Sequence, residues 1–591
     1  MAAKYLWTAL FLCTLAARNS AANQHLDHNF SLIANKILKP HCAGCHGKSL
    51  KMANLDLSDP ESAYLSLLGE NSMGKPPVNS IAKENGLKLI YPGYPDKSFL
   101  IKKLVSPGLG EGLPMPSMQK KISQAGIECI KTWISQLNQK DKENLEKCGV
   151  FLAETTIRPQ GKKLHFLDPK EHCQSCHPQH VAEWEISSHA YAAKDPVFLA
   201  MIKMGQRQTK GALGQFCVQC HMPTSFLLKQ TPVSKNPATG FFEQSFAKVD
   251  KVGHQGVSCD VCHSITKIIE PVNGRIELRP NGIKLGTIRN PVATPAHGSQ
   301  FSYLHASSKV CSGCHNVTNP KGALIEETFS EWSKSRFARG GGAEKKSCQD
   351  CHMATYYGKA AEGGPDRKVH RHTFEGVDVS LLGKDAFPGY DKMRALTAKL
   401  LQKAAKLAMD FDSEGNLKVT IENLAGHSLP TGATAERQMW LRVVLKDITH
   451  KPHAILFASG TLDSRGDLRE DIESHTLEPG TDPFLVKYGQ RLIFRGLKDH
   501  HNPFAHVVEM PWQADWQENH LIPVSQIKSH TYPLSGYLVE GGKYHLEVKL
   551  LFRSFPPYFL RILEKEAGLD PKIKDRLPIV EMAGITKVFE W

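Results

Sequence analysis

Apolar and polar positions follow different periods in successive parts of the chain. Within residues 23–150, the stretches 29–38 and 122–137 carry apolar side chains at helical spacing. They predict a small all-α module. From 166 to 376 no long periodic stretch occurs, so short helices joined by long loops are expected there.

The last part of the chain changes from helical to strand spacing. Apolar positions at helical spacing in 388–409 predict a helical connector over 385–411. Beyond it, Leu417, Val419 and Ile421 alternate with polar residues, which is the pattern of a half-buried strand.

Further strands are predicted at 439–445, 454–458 and 544–550. Together they indicate a β-sandwich-like domain over 412–591, with an irregular or helical insertion around 556–571. The predicted fold class is therefore multidomain: a small all-α module, a mostly α and loop segment, and a C-terminal β-sandwich-like domain.

The amino terminus has the layout of a secretory signal peptide. Residues 1–22 contain Lys4, a mostly apolar run over 5–17 and small residues up to Ala22. No other apolar stretch approaches a membrane span. With 591 residues, the chain is long enough for two to four domains. The sequence thus predicts an exported protein without a transmembrane segment, located in the periplasm or outside the cell.

Cysteine and histidine usage indicates the chemistry. The sequence Cys-x-x-Cys-His, the attachment signature of c-type haem, occurs six times, whereas a random arrangement of 15 Cys and 28 His would give about 0.02. Zinc sites and thioredoxin-type dithiols also use Cys-x-x-Cys, but neither requires the following His. The motifs predict six covalently attached c-type haems, each with its iron bound by the motif histidine.

The first of these motifs, called the N-terminal motif, stands 131 residues before the next, whereas the later gaps are 44, 42, 52 and 37 residues. The other five form an array within 166–376 and are called motifs A to E in chain order. So few residues per haem cannot build a separate core around each, so the porphyrins must supply much of the buried apolar surface. The motifs are Cys42, Cys45 and His46 (N-terminal); Cys173, Cys176 and His177 (A); Cys217, Cys220 and His221 (B); Cys259, Cys262 and His263 (C); Cys311, Cys314 and His315 (D); and Cys348, Cys351 and His352 (E).

A repeat is visible within the array. Motifs A and D are each followed by a Glu-Trp pair and, three positions after the Trp, a Ser: Glu183, Trp184 and Ser187; Glu331, Trp332 and Ser335. This pattern predicts that motifs A and B form a pair related to motifs D and E, with motif C between them. His189 follows Ser187 in the first copy, and Phe337 takes its place in the second.

Each iron needs a sixth ligand or an open position. For the N-terminal motif the candidates are Met115, on a Pro-stiffened loop, and its close competitor Met118, because a thioether stabilises ferrous iron and raises the potential. For the array the candidates are His189, His254, His297 or His305, His370 or His372, and His427. No catalytic residue can be named from the sequence.

The remaining cysteines of the exported chain are Cys129 and Cys148. In an oxidising compartment a disulfide between them is expected. A redox-active thiol pair is the alternative, and nothing else in the sequence supports it.

The formal net charge of +14 would by itself suggest an anionic partner. Six haems with ionised propionates bring the total to roughly +6 to 0. The basic excess is therefore interpreted as compensation for propionates, with a Lys-rich surface for redox protein partners as a second role, and no nucleic-acid partner is predicted.

The N-terminal module carries Cys-Ala-Gly-Cys-His-Gly at 42–47, Asn-Leu-Asp-Leu at 54–57, Pro-Gly-Tyr-Pro-Asp-Lys-Ser at 92–98, Met-Pro at 115–116 and Trp-Ile at 133–134. With these residues it resembles the planctomycete-type class I cytochrome c domain. The resemblance implies that Met115 is the distal ligand.

The array carries Cys-His-Pro at 176–178, Glu-Trp at 183–184, Ser-His-Ala at 188–190 and Gly-Val-Ser-Cys-Asp-Val-Cys-His at 256–263. In these stretches it resembles the multihaem family that includes the tetrahaem cytochrome accepting electrons from hydroxylamine oxidoreductase. The resemblance implies electron transfer, mostly bis-His ligation and room for one open iron.

Two functions follow from these patterns. The first is an exported hexahaem cytochrome that transfers electrons between periplasmic or extracellular redox partners. The alternative is a multihaem oxidoreductase that acts on a small nitrogen or sulfur compound at a five-coordinate haem. Every motif ends in His, so the Lys-ligated motif of nitrite-reducing pentahaem enzymes is absent from the sequence.

Overall fold

The computed structural model describes residues 28–69, 74–108, 110–116, 122, 124–137, 158–159, 164–280, 282–449, 454–469, 481–494 and 506–591. The chain forms two compact units, Met1–Glu154 with Arg495–Ala505, and Thr155–Phe494 with His506–Trp591. No helix in the described ranges is both long and apolar enough to cross a membrane. The predicted signal peptide, residues 1–22, lies outside the described residues.

The first unit is built mainly from helices around one aromatic centre. The ring of Phe30 lies 5.3 Å from that of Tyr64 and 4.6 Å from that of Trp133, which joins the helices His28–Ile33, Pro60–Leu67 and Gln124–Gln136. Both helices predicted in this module are confirmed. The helices are His28–Ile33, Ala34–Leu38 and Lys39–Cys42, which run on without a break, and Pro60–Leu67, Ser80–Glu84, Phe99–Val105 and Gln124–Gln136; short 3₁₀ turns cover Met52–Asn54 and Pro95–Lys97, and strands His46–Gly47 and Leu50–Lys51 pair.

In the second unit each array motif lies on or beside a short helix, as predicted. Asp168 caps the first of these helices, because its Oδ1 accepts hydrogen bonds from the N–H groups of Lys170 and Glu171 at 2.9 and 3.0 Å. The motif helices are Pro169–Cys173, Val218–His221, Cys259–Cys262, Ser308–Cys311 and Cys348–His352. The helices between them are Pro178–Glu185, Ser188–Tyr191, Pro196–Gln208, Pro223–Leu227, Gly253–Gln255, Thr328–Lys334, Arg336–Arg339 and Gly342–Glu344.

Small sheets that the sequence analysis did not predict lie between these helices. Strands of two to five residues are too short to show a period of two in the sequence. The pairs are Val233–Lys235 with Phe242–Gln244, Ile283–Gly286 with Gly298–Phe301, Val317–Thr318 with Leu324–Glu326, and Thr355–Lys359 with Asp366–His370; Arg158–Pro159, Ile276–Leu278 and Ile265–Ile268 form a three-stranded sheet.

The helix predicted over 388–409 is shorter than expected. After the 3₁₀ turn Lys384–Ala386, a helix covers Tyr390–Gln402, and a strand covers Ala405–Phe411. The helical prediction is therefore wrong beyond Gln402. In this strand Ala405 and Leu407 are buried while Lys406 and Ala408 are exposed, and this alternation outweighs the helical spacing that precedes it.

The C-terminal strands form two antiparallel sheets, and the predicted strands at 417–421, 439–445, 454–458 and 544–550 are all present. Side chains of both sheets meet in one hydrophobic core. The three-stranded sheet has the order Ala405–Phe411, Leu417–Asn423, Ile527–Tyr532. The seven-stranded sheet has the order His506–Val508, Lys487–Phe494, Gln438–Asp447, Lys543–Arg553, Val580–Glu590, with Ala454–Ser459 paired to Gln438–Asp447 and Trp516–His520 paired to Lys487–Phe494.

The predicted insertion in this region is a helix, Pro557–Ala567, followed by the 3₁₀ turn Pro571–Arg576; further short turns cover Thr434–Glu436 and Ser535–Tyr537. This helix packs on the array helix Pro196–Gln208, and the two share a buried apolar cluster that includes Met204 and Leu563. The array and the C-terminal sheets therefore belong to the same compact unit.

Candidate haem site

One cavity of about 1930 Å³ runs through the second unit, and motifs A to E line it with all of their cysteines and histidines. The sequence-predicted residues His189, His297, His305, His370, His372 and His427 also line it. His254 does not, and its side chain is exposed.

Most motif histidines are fixed through Nδ1. A backbone carbonyl can only accept, so Nδ1 must carry the proton, and Nε2 is left for a metal. The Nδ1 to carbonyl oxygen distances are 2.7 Å for His46 to Met52, 2.7 Å for His177 to Ala360, 2.7 Å for His263 to Leu285 and 2.5 Å for His352 to Glu375.

His315 of motif D has a carboxylate as its partner. Its Nδ1 lies 3.0 Å from Oε1 of Glu326, a residue that the sequence analysis did not single out. Burial alone would lower the pKa of His315, but the hydrogen bond and charge of Glu326 raise that pKa to about 9. Burial likewise opposes ionisation of Glu326, yet the His315 hydrogen bond brings the pKa of that carboxyl below its usual value.

Four motif histidines face a second histidine across the cavity. Two nitrogens bound to one metal at about 2.0 Å on opposite sides place the ring centres roughly 6 Å apart. The observed ring-centre distances are 6.3 Å for His177 and His297 (A), 6.2 Å for His263 and His372 (C), 6.4 Å for His315 and His189 (D), and 6.3 Å for His352 and His427 (E).

Two of the opposing histidines are also held as ligands would be, through a hydrogen bond from Nδ1 to a backbone carbonyl. Nδ1 of His372 lies 3.0 Å from the carbonyl of His370, and Nδ1 of His427 lies 3.1 Å from that of Ser428. Burial lowers the pKa of His189 to about 3, so its ring is neutral. Its buried Nδ1 has no hydrogen-bond partner among the described residues.

Two other histidines that the sequence suggested as distal ligands, His305 and His370, use their ring nitrogens for other hydrogen bonds. Both ring nitrogens of His305 are engaged, Nδ1 with Oγ of Ser302 at 2.9 Å and Nε2 with the carbonyl of Cys262 at 2.8 Å. Nδ1 of His370 lies 2.8 Å from the carbonyl of Met353, and in the described ring contacts no motif histidine faces it.

The repeated Glu-Trp pairs make equivalent contacts. Nε1 of Trp184 donates to the carbonyl of Val257, two residues before motif C, at 2.8 Å. Nε1 of Trp332 donates to the carbonyl of Lys346, two residues before motif E, at 3.0 Å. Each Trp therefore holds the start of a motif.

The repeated glutamates hold the loops of opposing histidines. Glu183 accepts a hydrogen bond from the backbone N–H of His372 at 2.8 Å, and Glu331 accepts one from the N–H of Ser428, next to His427, at 3.2 Å. These contacts relate motifs A and C to motifs D and E. In the sequence the first Glu-Trp pair stands between motifs A and B, yet its Trp contacts motif C, whereas the second pair stands between motifs D and E and its Trp contacts motif E. The pairing of motifs A and B with motifs D and E stays a prediction from the sequence repeat.

Thiols of different motifs approach one another. The thiols of Cys173 and Cys259 are close enough to influence each other's pKa, as are those of Cys311 and Cys348 and those of Cys220 and Cys314. The pKa of the Cys262 thiol is raised to about 12 by burial and by the nearby Cys314. Motifs A, C, D and E therefore form a row, and motif B branches from it at motif D.

Motif B is surrounded differently from the others. The His221 ring stacks on Phe198 with a centre distance of 4.3 Å and an interplanar angle of 7°. Asp378 and Glu326 act electrostatically on His221, and Glu436 acts on Cys217.

These acidic groups belong to a cluster of charged residues that line the cavity. Arg437 Nη2 donates to Oδ2 of Asp378 at 3.0 Å. Burial raises the pKa of Glu436 and of Asp195 to about 7, and neighbouring carboxylates add to both shifts. None of the four residues stood out in the sequence, because single charged residues far apart in the chain carry no motif.

In the first unit, Met115 follows the helix Phe99–Val105 with a half-buried side chain, and its N–H donates to the carbonyl of Lys103 at 2.7 Å. Cys129 is buried. The competing candidate Met118 and the disulfide candidate Cys148 lie outside the described residues.

Covalent haem fits the residues of the second unit. Paired cysteines, motif histidines with Nε2 free and opposing histidines at metal-ligand spacing all line the same cavity. The buried Nδ1 of His189, which has no hydrogen-bond partner among the described residues, would be satisfied by iron bound at that nitrogen.

This site defines a multihaem c-type cytochrome. The family model described as Cytochrome c552 matches residues 182–336, which include motifs B, C and D. Among solved structures, a penta-haem cytochrome c552 from Thermochromatium tepidum is similar at 19% identity, covering 71% of this chain and 98% of that chain with a TM-score of 0.46. No curated protein matches the chain.

Proposed function

We propose that this protein is an exported hexahaem cytochrome that transfers single electrons between redox partners in the periplasm or outside the cell. Its six Cys-x-x-Cys-His motifs support the count, and bound haem would supply the one-electron chemistry. The resemblances to a planctomycete-type class I domain and to the tetrahaem acceptor of hydroxylamine oxidoreductase are consistent with this function.

The observation that supports the proposal is that thiols of different motifs are neighbours. Because each cysteine would anchor the edge of one porphyrin, neighbouring thiols would bring the edges of neighbouring cofactors close together. Cys176 of motif A and Cys351 of motif E are exposed, and they lie at the two ends of the row. Electrons would enter and leave at these ends.

The proposed ligands are the motif histidines with His297, His372, His189 and His427 opposite motifs A, C, D and E, and Met115 for the N-terminal motif. His/Met ligation would give the N-terminal motif the higher potential, and His/His ligation would give the array the lower potentials. This difference would set the direction of transfer.

The test uses the intact oxidised protein mixed with one electron equivalent of a small reductant in a stopped-flow instrument. We expect the electron to distribute over the haems before the first reading, followed by no slower spectral change. The control is the chain unfolded in denaturant, which keeps its covalent haems but loses the contacts. Redistribution as slow in the folded protein as in the unfolded chain would refute the proposal.

A further inference from the structure

Lysine side chains surround the end of the row at motif E, where Cys351 is exposed. Lys346 and Lys403 both act electrostatically on the Cys351 thiol, so two separate segments of the chain meet here. Lys399 lies one helical turn before Lys403. All three lysines are exposed and line the cavity, and we call them the motif E lysines.

The carboxylates nearby have partners of their own. Asp391, the one acidic residue of the helix that carries Lys399, pairs with Lys384 on the exposed surface. Asp350 accepts hydrogen bonds from the backbone N–H and the hydroxyl of Ser347, at 2.7 and 2.8 Å. Three lysines therefore face a single carboxylate beside Cys351, and this end of the row carries a net positive charge.

Haem propionates would not neutralise these lysines. In a c-type haem the thioether bonds form at two former vinyl groups, and both propionates lie on the opposite edge of the porphyrin. Charges beside Cys351 lie at the thioether edge, away from the propionates of the same haem. Cys348 of motif E has Cys311 of motif D as its neighbour, so a second thioether edge faces this place. The motif E lysines are thus left with their charge.

The end of the row at motif A has a different charge distribution. Nζ of Lys251 lies 2.5 Å from Oε1 of Glu171, two residues before Cys173. The exposed Glu362 also lies at this end, because its N–H donates to the carbonyl of Cys176 at 2.8 Å. Basic charge without an acidic partner is therefore a feature of the motif E end and distinguishes it from the motif A end.

We propose that the motif E lysines form the docking surface for an acidic redox protein, which exchanges electrons with the array at motif E. This inference rests on the proposed function, since it assumes that electrons travel along the row. Opposite charges steer such a partner to the surface and orient it there. In each encounter one electron passes from the reduced cofactor of one protein to the oxidised cofactor of the other.

A protein partner fits this surface better than an anionic membrane does. The exposed side chains of the helix Tyr390–Gln402 are polar or small, and they are Asp391, Lys392, Ala395, Lys399 and Gln402. A helix that binds in a membrane interface needs an exposed face of large apolar side chains. The lysines also surround an exposed thioether site, where only a partner with its own cofactor can exchange electrons.

Oxidised flavodoxin, an acidic redox protein, is the probe. Titration of isotope-labelled flavodoxin with the whole oxidised protein, followed by nuclear magnetic resonance, measures the Kd without any electron transfer. We expect binding at low ionic strength that weakens about tenfold when salt is raised to about 0.15 M. If flavodoxin does not bind at low ionic strength while electrons still redistribute rapidly among the haems, the inference fails and the proposed function stands.

The location of the surface is tested by charge reversal. The double variant Lys399→Glu and Lys403→Glu should weaken flavodoxin binding at least about tenfold. The control is Lys235→Glu and Lys248→Glu, which changes the net charge equally at exposed positions that do not line the cavity. Its affinity should stay within about twofold of that of the unaltered protein. Equal weakening in both variants would show attraction by net charge alone and overturn docking at motif E.

Carbodiimide cross-linking maps the surface on the unaltered protein, so it does not depend on the folding of a variant. The reagent joins lysine amines to carboxylates that contact them. We expect mass spectrometry to find Lys346, Lys399 or Lys403 in peptides linked to flavodoxin. Cross-links confined to other lysines would contradict the proposal.

Vesicles that contain phosphatidylglycerol test the membrane as the other anionic occupant. We expect the whole protein to bind these vesicles no better than the double variant Lys399→Glu and Lys403→Glu does. Vesicle binding that is lost in this variant, without flavodoxin binding by the unaltered protein, would make the motif E lysines a membrane-binding surface and overturn the inference.

Discussion

At the level of single residues, the partner of Nδ1 distinguishes the motif histidines. Those of motifs A, C and E lie next to backbone carbonyls, whereas His315 of motif D lies next to the carboxylate of Glu326. A carboxylate partner increases the electron density on the imidazole and so stabilises ferric iron. Motif D is also where the branch joins the row.

Replacing Glu326 should therefore change the potential of one haem. Glu326→Gln removes the charge but keeps a hydrogen-bond acceptor, and we expect one potential to rise by about 60–120 mV, which corresponds to a 10–100-fold change in redox equilibrium. A spectroelectrochemical titration of the whole protein measures this shift. Asp391→Asn is the matched control, and unchanged potentials in Glu326→Gln would contradict the role of Glu326.

The buried carboxyl of Glu436 should make stability depend on pH. Burial raises the pKa of Glu436 from 4.5 to about 7, with Asp378, Asp195 and Glu326 adding to the shift and Arg437 opposing it. The folded protein then binds more protons than the unfolded chain between these values. The contribution of Glu436 to the free energy of unfolding should therefore fall by about 3 kcal/mol as the pH rises from about 4.5 to about 7, and stay level above.

In Glu436→Gln this part of the pH dependence should disappear. Denaturant titrations at pH 5 and pH 8 measure the difference for both proteins. Asp195, whose pKa is also raised to about 7, leaves a smaller decline in the variant. An equal decline in both proteins would show that Glu436 does not titrate in this range.

At the level of elements, the repeated Glu-Trp helix is a positioning device. Pro178–Glu185 and Thr328–Lys334 each use the Trp to hold the start of a motif and the Glu to hold a loop with an opposing histidine. In both copies a Ser caps the next short helix, since Ser187 accepts from the N–H of Ala190 and Ser335 from that of Ala338. The same type of helix therefore positions an opposing histidine at two places in the array.

Removal of Glu331 should loosen the loop that carries His427. Glu331 accepts hydrogen bonds from Ser428 N–H at 3.2 Å and from Oγ1 of Thr431 at 2.7 Å. We expect Glu331→Ala to have one more high-spin haem than the unaltered protein, as measured by electron paramagnetic resonance. Glu331→Gln, which keeps an acceptor, should resemble the unaltered protein. A low-spin haem in Glu331→Ala would mean that the loop is held by its other contacts.

At the level of the whole molecule, the array and the C-terminal sheets depend on each other. Asn319 of the array donates to the carbonyls of Pro511 and Ala514 at 2.6 and 2.7 Å, and Lys203 donates to the carbonyl of Ala567 at 2.7 Å. Deleting residues 412–591 would remove these contacts together with His427. A single substitution therefore tests the connection better than a deletion.

Leu563→Ala should destabilise the array as well as the sheets. Leu563 is fully buried in the cluster shared with the helix Pro196–Gln208, and its truncation should cost about 2–5 kcal/mol. Denaturant unfolding followed by haem absorption and by far-ultraviolet circular dichroism should shift equally. Val588→Ala, at a position 61% exposed, should stay within about 0.5 kcal/mol of the unaltered protein. A shift in the circular dichroism signal alone would show that the two parts unfold independently.

The haem-binding chemistry of this protein can be recognised from its sequence. Covalent attachment needs two thiols and a histidine within five residues, so Cys173, Cys176 and His177 can be recognised without knowing the fold. Long periodic stretches can also be predicted from the sequence, and the half-buried strand at Leu417, Val419 and Ile421 is present. The end of the preceding helix cannot, because the alternation that begins at Ala405 overlaps the helical spacing. Both the attachment motif and the apolar periodicity depend only on residues that are neighbours in the sequence.

Which histidines face each other, in contrast, depends on how the chain folds. His189 was a candidate from its surroundings in the sequence, but its position opposite His315 depends on the path of the chain between them. The same holds for the partnership of Glu326 with His315 and for the carboxyl cluster around motif B. These arrangements join residues that are far apart in the sequence, and their geometry is set by packing that no local pattern records.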